Sequence, residues 1–445
     1  MKTFPAVSLF ANCGAGDVGY RRAGFRFEVM AELVPHRLEV CLLNHPGAVG
    51  VVGDLRETWR DVVACYRKKA GRTSPALLCA CPPCQGMSSA RSGKGKHTDA
   101  AAGSRDQRNL LVTVIANVAK ALKPEVVVVE NVPAFLTRLV EHPENRRPTS
   151  ATRYLVDALG QDYDHFAMIT DLADYGIPQN RVRTFLTFVR RDNPGLTRMR
   201  SMGRAPFPRP THGGGTDAPQ ITFAAAMKAL NLPPLDASSE ERSLAPGFKG
   251  LHTVPVCSPR VYAMVQAMPE GESAWNNQKC GACGSVNVGT GDAECPRCGG
   301  PLLRPVVRLA NGSHRLVRGF KTSYRRMRSD RPSATITTAS GHIGSDNAIH
   351  PTENRLLSVL ECAALQTFPS SFHWGSVPKE FGLTNVRAMV GEAVPPAFTY
   401  LHGAVIRSLF TRRSTVTPIA FSDSRVQKAL GKIDSLAGGA TSAAA

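Results

Sequence analysis

Cysteine is sparse in this chain, with twelve among 445 residues, far too few for a disulfide-stapled scaffold. No apolar run is long enough to span a bilayer, so an integral membrane protein is not expected. Acid is short relative to base: Asp and Glu number 35 against 54 Lys and Arg, a formal charge of +19. A large basic chain usually meets a polyanion; the plainer reading is a basic protein without such a partner. There is no internal repeat. A hydrophobic share of 42% with 20% charged residues excludes wholesale disorder, collagen-like and coiled-coil architectures. The length allows two or three domains, or one large domain carrying an insertion. The apolar start, Ala6 to Phe10, is short and runs into Asn12-Cys13-Gly14 without a cleavage site, so no signal peptide is read and a reducing, cytoplasmic location is expected.

The first half alternates between apolar strands (Ala6–Phe10, Phe27–Glu32, Ala76–Ala80, Glu125–Val129, Arg181–Val189) and helical stretches such as Arg108–Leu122 and Thr152–Leu159. Continuous apolar strands alternating with helices predict an α/β fold with a parallel sheet covered on both faces. Beyond Arg190 the sequence turns rich in Pro, Gly, Arg and Ser, then carries a four-cysteine segment and a basic run from Arg315 to Arg328. Helix is predicted again at Leu356–Leu365 and Ala397–Leu409, and residues 411–445 read as a disordered tail.

Four constellations carry chemistry. Cys81-Pro82-Pro83-Cys84-Gln85-Gly86 follows an apolar strand, at the edge where open α/β sheets bind ligands. By itself it reads equally as a redox pair, half a metal site, or a loop presenting Cys84 as nucleophile. The strand Val126–Val129 ends in Glu130-Asn131-Val132, and an acid there costs burial energy unless it has work or a partner; the alternative is a helix cap. A thiol and a carboxyl at two strand ends suggest a shared site. In Gln179-Asn180-Arg181-Val182-Arg183, alternation puts Gln179, Arg181 and Arg183 on one strand face, suited to phosphates or carboxylates, or to a solvated basic edge. The glycine-rich turn from Phe10 through Gly14, Gly16 and Asp17 admits a cofactor close to the backbone but lacks a full dinucleotide fingerprint. With Glu32 and Asp54 at the ends of two further strands, it suits an adenosine-containing cofactor.

The order of these motifs resembles the cytosine-C5 DNA methyltransferases of bacterial and phage type, from residue 6 to about 410 apart from the middle insertion. Pro82-Pro83-Cys84-Gln85-Gly86 is similar to the family's catalytic loop, Glu130-Asn131-Val132 to its E-N-V element, and Gln179-x-Arg181-x-Arg183 to its Q-x-R-x-R element. Asp106-x-Arg108-Asn109-x-Leu111, Arg331-Pro332-Ser333-Ala334-Thr335-Ile336, Leu365-Gln366-Thr367-Phe368-Pro369 and Gly391-Glu392-Ala393-Val394-Pro395-Pro396 continue the series.

The resemblance implies a doubly wound, Rossmann-like S-adenosylmethionine-dependent methyltransferase fold and transfer of a methyl group to C5 of a flipped cytosine in duplex DNA. C5 is too poor a nucleophile alone; a Cys84 thiolate adding at C6 makes it an enamine carbon. Glu130 would serve N3, Arg181 would hold the flipped base, and Arg183 would support the site. Phe10, Gly14, Asp17, Glu32, Asp54, Pro82, Glu392 and Val394 are expected around the cofactor. Gln85, Ser88 and Gln179 are expected at the DNA, with Ser88–Arg105 as a closing loop or simply a disordered stretch. Asn12 and Ala15 stand where the family has glycine, and Glu392 where it has Asn. These are either drift or a pocket altered toward a more cationic cofactor such as decarboxylated S-adenosylmethionine.

Cys280-x2-Cys283-x11-Cys295-x2-Cys298 is a zinc-ribbon pattern, the alternatives being iron or free thiols; four thiolates leave no open position, so a metal here is expected to be structural. It falls in the expected target-recognition region. Arg325, Arg326 and Arg328 of the basic run are expected to bind phosphates or read guanine edges, or else to form a solvated basic face. The expected plan is a catalytic domain at 1–200 and 330–410 with a recognition domain at 201–329. The expected partners are double-stranded DNA and, as such enzymes can have, a cognate restriction or defence-system nuclease; a nucleoid-associated monomer is expected. The rival readings are a tRNA cytosine-C5 methyltransferase, a variant C5-alkylating enzyme, a catalytically silent DNA-binding protein, and a thiol oxidoreductase, which would leave Glu130 and the arginines unexplained.

Overall fold

The computed structural model describes residues 3–83, 111–141, 148–286, 292–318, 322–345, 347–411 and 414–435. Cys84, Gln85, Ser88 and the segment 88–105 lie outside them. The N-terminal half builds β1 (Phe4–Leu9), α1 (Ala15–Arg22), β2 (Phe25–Glu32), α2 (Pro35–Asn44), β3 (Val49–Val52), α3 (Leu55–Ala70), β4 (Leu77–Ala80), α4 (Leu111–Leu122), β5 (Val126–Asn131), α5 (Ala151–Leu159), β6 (Tyr163–Asp171) and β7 (Val182–Arg190). They form a seven-stranded sheet in the order β3-β2-β1-β4-β5-β7-β6.

Apolar residues drive this sheet from both faces. In β5, Val126 and Val128 join the core against α1 and the C-terminal helix α8 (Pro396–Arg407), while Val127 and Val129 join the core against α3, α4 and α5. Each of these fully buried valines contributes on the order of 2 kcal/mol. A strand apolar on both faces is what a doubly covered sheet requires.

The expected parallel sheet is present, with one strand reversed within it. The first five strands are parallel, but β7 runs antiparallel to both β5 and β6. The link from β6 to β7, Leu172–Arg181, starts with a single tight turn closed by left-handed Gly176 (φ 77°) and is too short for a helical crossover.

The expected domain boundaries also move. Arg204–Pro208 forms β8, pairing with β9 (Pro418–Ala420), and Ala205 and Phe207 are buried in the catalytic core, so that core extends past residue 200. The small region's own core draws Met264 and Val265 of α6 (Pro259–Gln266) together with Leu303, Ile349 and Leu356, crossing the expected limit at 329. The expected disordered tail is corrected in part: β9 is followed by α9 (Ser424–Asp434), capped by Asp423, with Val426, Ala429 and Ile433 buried against the sheet. Residues 436–445 lie outside the described residues. No helix among the described residues is long and apolar enough to cross a membrane.

Candidate active site and recognition module

Parallel strands deliver their carboxyl ends to one edge, and here that edge opens into a cavity of about 1590 Å³. Phe10, Glu32, Asp54, Cys81, Pro82, Pro83 and Glu130 line it from β1 to β5. Because β7 is antiparallel, its starting end reaches the same edge and adds Arg181 and Arg183. Glu392, Val394 and the segment Thr335–Thr338 close the opposite wall.

Glu130 is 8% exposed, and burial pushes its pKa above the usual carboxylate range. The charges of Arg183 and Arg181 and a hydrogen bond from Cys81 oppose that rise. Arg183 is the direct partner, with Nε 3.1 Å from Glu130 Oε1. Arg181 donates instead to the carbonyls of Ile336 (3.2 Å), Gly391 (2.9 Å) and Ala393 (3.0 Å). It therefore also acts as a strut between β7 and the return segment, a role beyond the expected help in holding a base, and it still lines the cavity. Asn131 donates through Nδ2 to the Pro82 carbonyl at 2.9 Å, fixing the backbone that leads toward Cys84.

The glycine-rich turn is strained: Phe10 and Asn12 have φ of 57° and 50°, and Gly14 caps α1 at φ 73°. Left-handed backbone at non-glycine residues costs roughly 1–2 kcal/mol each and persists where the surroundings hold it. The Asn12 amide donates to Glu32 Oε2 (2.9 Å), and its side chain donates to the Met389 carbonyl (2.9 Å). Glu32 is buried and its pKa is raised, chiefly by that burial. Asp17 is buried, accepts from Ser8 Oγ at 3.0 Å, and has its pKa pushed up to about 7 by desolvation. Asp54 reaches the cavity while capping α3 and holding Arg56, and its pKa is lowered chiefly by that arginine.

Three expectations are corrected by burial. Gly14 does not line the cavity; a Cβ there would lie 2.8 Å from Cys41 Sγ and from the His45 ring, so its role is close packing on α2. Gln179, with no exposed surface, donates to the Leu365 carbonyl (3.4 Å) and accepts from the Ile336 amide (2.9 Å), so it cannot touch DNA in this arrangement. Arg326, 3% exposed, donates to the carbonyls of Val265, His350, Pro351 and Glu353 and to Asn354, and is a core strut. Arg328 is exposed and paired with Asp330, and Arg325 is half-buried.

Sequence reading missed Arg37, which pairs with Glu392, and, beyond the Arg331–Ile336 element, the wall of Thr337, Thr338, His342 and Ser345. The wall carries only a hydroxyl-rich pattern with no spacing to mark it. Arg37 gave no signal at all.

In the small region the Sγ atoms of Cys280, Cys283, Cys295 and Cys298 all lie within 4.8 Å of one another. The Ala282 amide points at Cys280 Sγ from 3.3 Å, as a metal knuckle requires. Cys280 and Cys295 are buried and the other two exposed, so the cluster sits at the surface of the region.

The sequence profile of the C-5 cytosine-specific DNA methylases matches residues 4–224 and 277–407. The chain belongs to this family. Among its relatives, the Type II methyltransferase M1.HgaI of Avibacterium volantium is 28% identical over 404 residues, covering 89% of this chain and 96% of that protein. The Type II methyltransferase M1.HphI of Haemophilus parahaemolyticus is 26% identical over 391 residues, covering 88% and 83%. A prophage-encoded E. coli protein described as a DNA modification methyltransferase shares the fold, with a TM-score of 0.57 at 16% identity over 92% of this chain and 99% of that one. The cytosine-C5 methyltransferase thus places its family elements, Glu130-Asn131-Val132, Arg181-x-Arg183 and Gly391–Val394, around one cavity.

Proposed function

We propose that this C5 methyltransferase flips a cytosine out of a specific duplex DNA sequence and methylates it through a covalent Cys84–C6 intermediate, in the setting of a restriction-modification system. The observation that carries this reading is the meeting, in one cavity, of the buried Glu130–Arg183 pair with the adenosine-suited acids Glu32 and Asp54.

The residues fit S-adenosylmethionine. Glu32 lies at the end of β2, where its carboxylate can accept ribose hydroxyls, and Asp54, two residues beyond β3 at the cap of α3, lines the same cavity, where it would accept from an adenine amine. Phe10, Asp17, Pro82, Glu392 and Val394 complete the wall. When bound, the cofactor supplies an electrophilic methyl group. Glu130, whose raised pKa favours its protonated form, donates toward N3 and makes C6 electrophilic. The Cys84 thiolate would add at C6 and push the electron pair to C5, the atom that would receive the methyl group, with S-adenosylhomocysteine as the leaving group. A base, such as a water, then removes the C5 proton, and the thiolate leaves as the C5–C6 double bond re-forms. Arg183 holds the Glu130 carboxyl in place, and Arg181 fixes the return segment that closes the cavity.

The four cysteines fit a structural zinc ion: four thiolates at one point, with backbone amides aimed at sulfur, form a closed site. The metal would stiffen the recognition region, whose exposed Arg328 and half-buried Arg325 are its candidates for DNA contact.

Bisulfite sequencing of DNA from cells expressing the protein, beside Cys84→Ala, tests this directly. Protection at one short motif, lost in the variant, is the expected result, with 5-methylcytosine identified by mass spectrometry of nucleosides. Absence of protection together with methylation of tRNA would replace the DNA substrate.

A further inference from the structure

Two of the three places where the chain departs from its family's pattern, Asn12 and Glu392, are far apart in sequence yet act on the same helix. α7 (Gly382–Glu392) ends at the cavity. Asn12 Nδ2 donates to the carbonyl of Met389, three residues before that end. Glu392, the last residue of α7, receives Arg37 Nη1 at 2.5 Å from the first turn of α2, 355 positions away in the chain.

Asn12, Arg37 and Glu392 all line the cavity, and they surround Glu32. Asn12 donates its backbone amide to Glu32. The Arg37 charge lowers the Glu32 pKa, and the Glu392 charge raises it. Arg37 and Glu392 side chains are 17% and 25% exposed, so the pair is partly desolvated and its attraction is screened less than that of a surface pair.

We propose that Arg37 and Glu392 form a charge clasp across the cofactor end of the cavity, with Asn12 as its second anchor, and that this pairing sets cofactor affinity. The argument rests on the methyltransferase reading above and deepens it. The clasp ties the β1–α1–β2–α2 unit, which carries Glu32, to α7, which carries Glu392 and leads to Val394. A cofactor lying between Glu32 and Val394 touches both sides, so its affinity depends on their being held together. Each charge neutralises the other, so Glu392 is not a bare carboxylate facing the ligand. Arg37 and Glu392 are positioning residues: they act by holding the two walls, with Glu32 as the group they serve.

The test is calorimetric binding of S-adenosylhomocysteine to the full-length, zinc-loaded protein, without turnover. Arg37→Ala and Glu392→Ala are each expected to weaken binding about 10-fold, and the reversed pair Arg37→Glu with Glu392→Arg to recover to within about 3-fold of the parent. Arg37→Lys, which keeps the charge, serves as the milder variant should Arg37→Ala melt early, and is expected to lose about 3-fold. Raising salt from 0.05 to 0.5 M is expected to weaken binding by the parent more than by the single variants. Single variants that bind within 2-fold of the parent, or a reversed pair no better than either single, overturn the clasp. A parent protein that binds no S-adenosylhomocysteine overturns the cofactor reading itself, and the clasp with it.

Discussion

Arg183 Nε stands 3.1 Å from Glu130 Oε1, while Arg181, two residues earlier, directs its guanidinium to three backbone carbonyls. The two arginines of one motif therefore have separable jobs. Arg183→Ala removes a charge that holds the Glu130 pKa down. If the acid form of Glu130 works, activity declines as pH rises through its pKa, and in Arg183→Ala that decline moves to higher pH. The maximal rate is expected to fall by roughly 100-fold as the carboxyl loses its anchor. The pH profile of kcat/KM checks both; an unshifted profile would separate Glu130 from the proton step.

Arg181→Ala is expected to act on stability. It leaves the buried carbonyls of Ile336, Gly391 and Ala393 without that donor, at about 1–3 kcal/mol each, so a loss of at least about 3 kcal/mol is expected in urea unfolding. Gly391→Ala should lose stability by a different cause, since a Cβ there would lie 2.4 Å from the backbone of Thr337 and Thr338. A stable Arg181→Ala protein with only reduced activity would return Arg181 to the substrate.

Asp17 makes stability depend on pH with a defined sign. Its pKa is about 7 in the fold, against 3.8 for an ordinary Asp. Between those values the folded protein holds a proton that the unfolded chain releases, so the Asp17 contribution is fully present below about pH 4 and declines as pH rises to about 7. Comparing urea midpoints at pH 5 and pH 7 for the parent and Asp17→Asn isolates it: the variant should lose less stability across that interval. Equal losses would show that Asp17 is ionised throughout.

Metal analysis is expected to find one zinc per chain. Cys280→Ser or Cys295→Ser should lose it and lower the melting temperature, since both thiols are buried. DNA affinity should fall while binding of S-adenosylhomocysteine changes by less than about 2-fold, because the cluster does not line the cavity. A metal-free parent with unchanged melting would remove the zinc site.

Cofactor profiling bears on Glu392. An unpaired carboxylate would favour decarboxylated S-adenosylmethionine, but Arg37 takes this one at 2.5 Å. The expected result is ordinary use of S-adenosylmethionine and no preference for the decarboxylated form; such a preference would mean that the pair opens when ligand binds.

The sheet's apolar strands, the acids Glu32, Asp54 and Glu130 that follow them and the four-cysteine pattern are legible in the sequence alone because these are local signals: a continuous apolar run, an acid after it, fixed Cys spacing. The family motifs were legible for the same reason. Only the tertiary structure decided strand direction and partners. Had β7 been parallel, its starting arginines would lie at the edge opposite Glu130; the short Gly176 turn makes it antiparallel and brings Arg183 to the carboxylate. Burial likewise separated Gln179, Arg181 and Arg326 from Arg183, since nothing in a run of polar side chains says which will be enclosed by backbone groups of other segments, more than 150 positions away for Gln179 and Arg181 and within 61 for Arg326. The same holds for Arg37 and Glu392, whose pairing spans 355 positions and exists only because the last turn of α7 folds back over the first turn of α2.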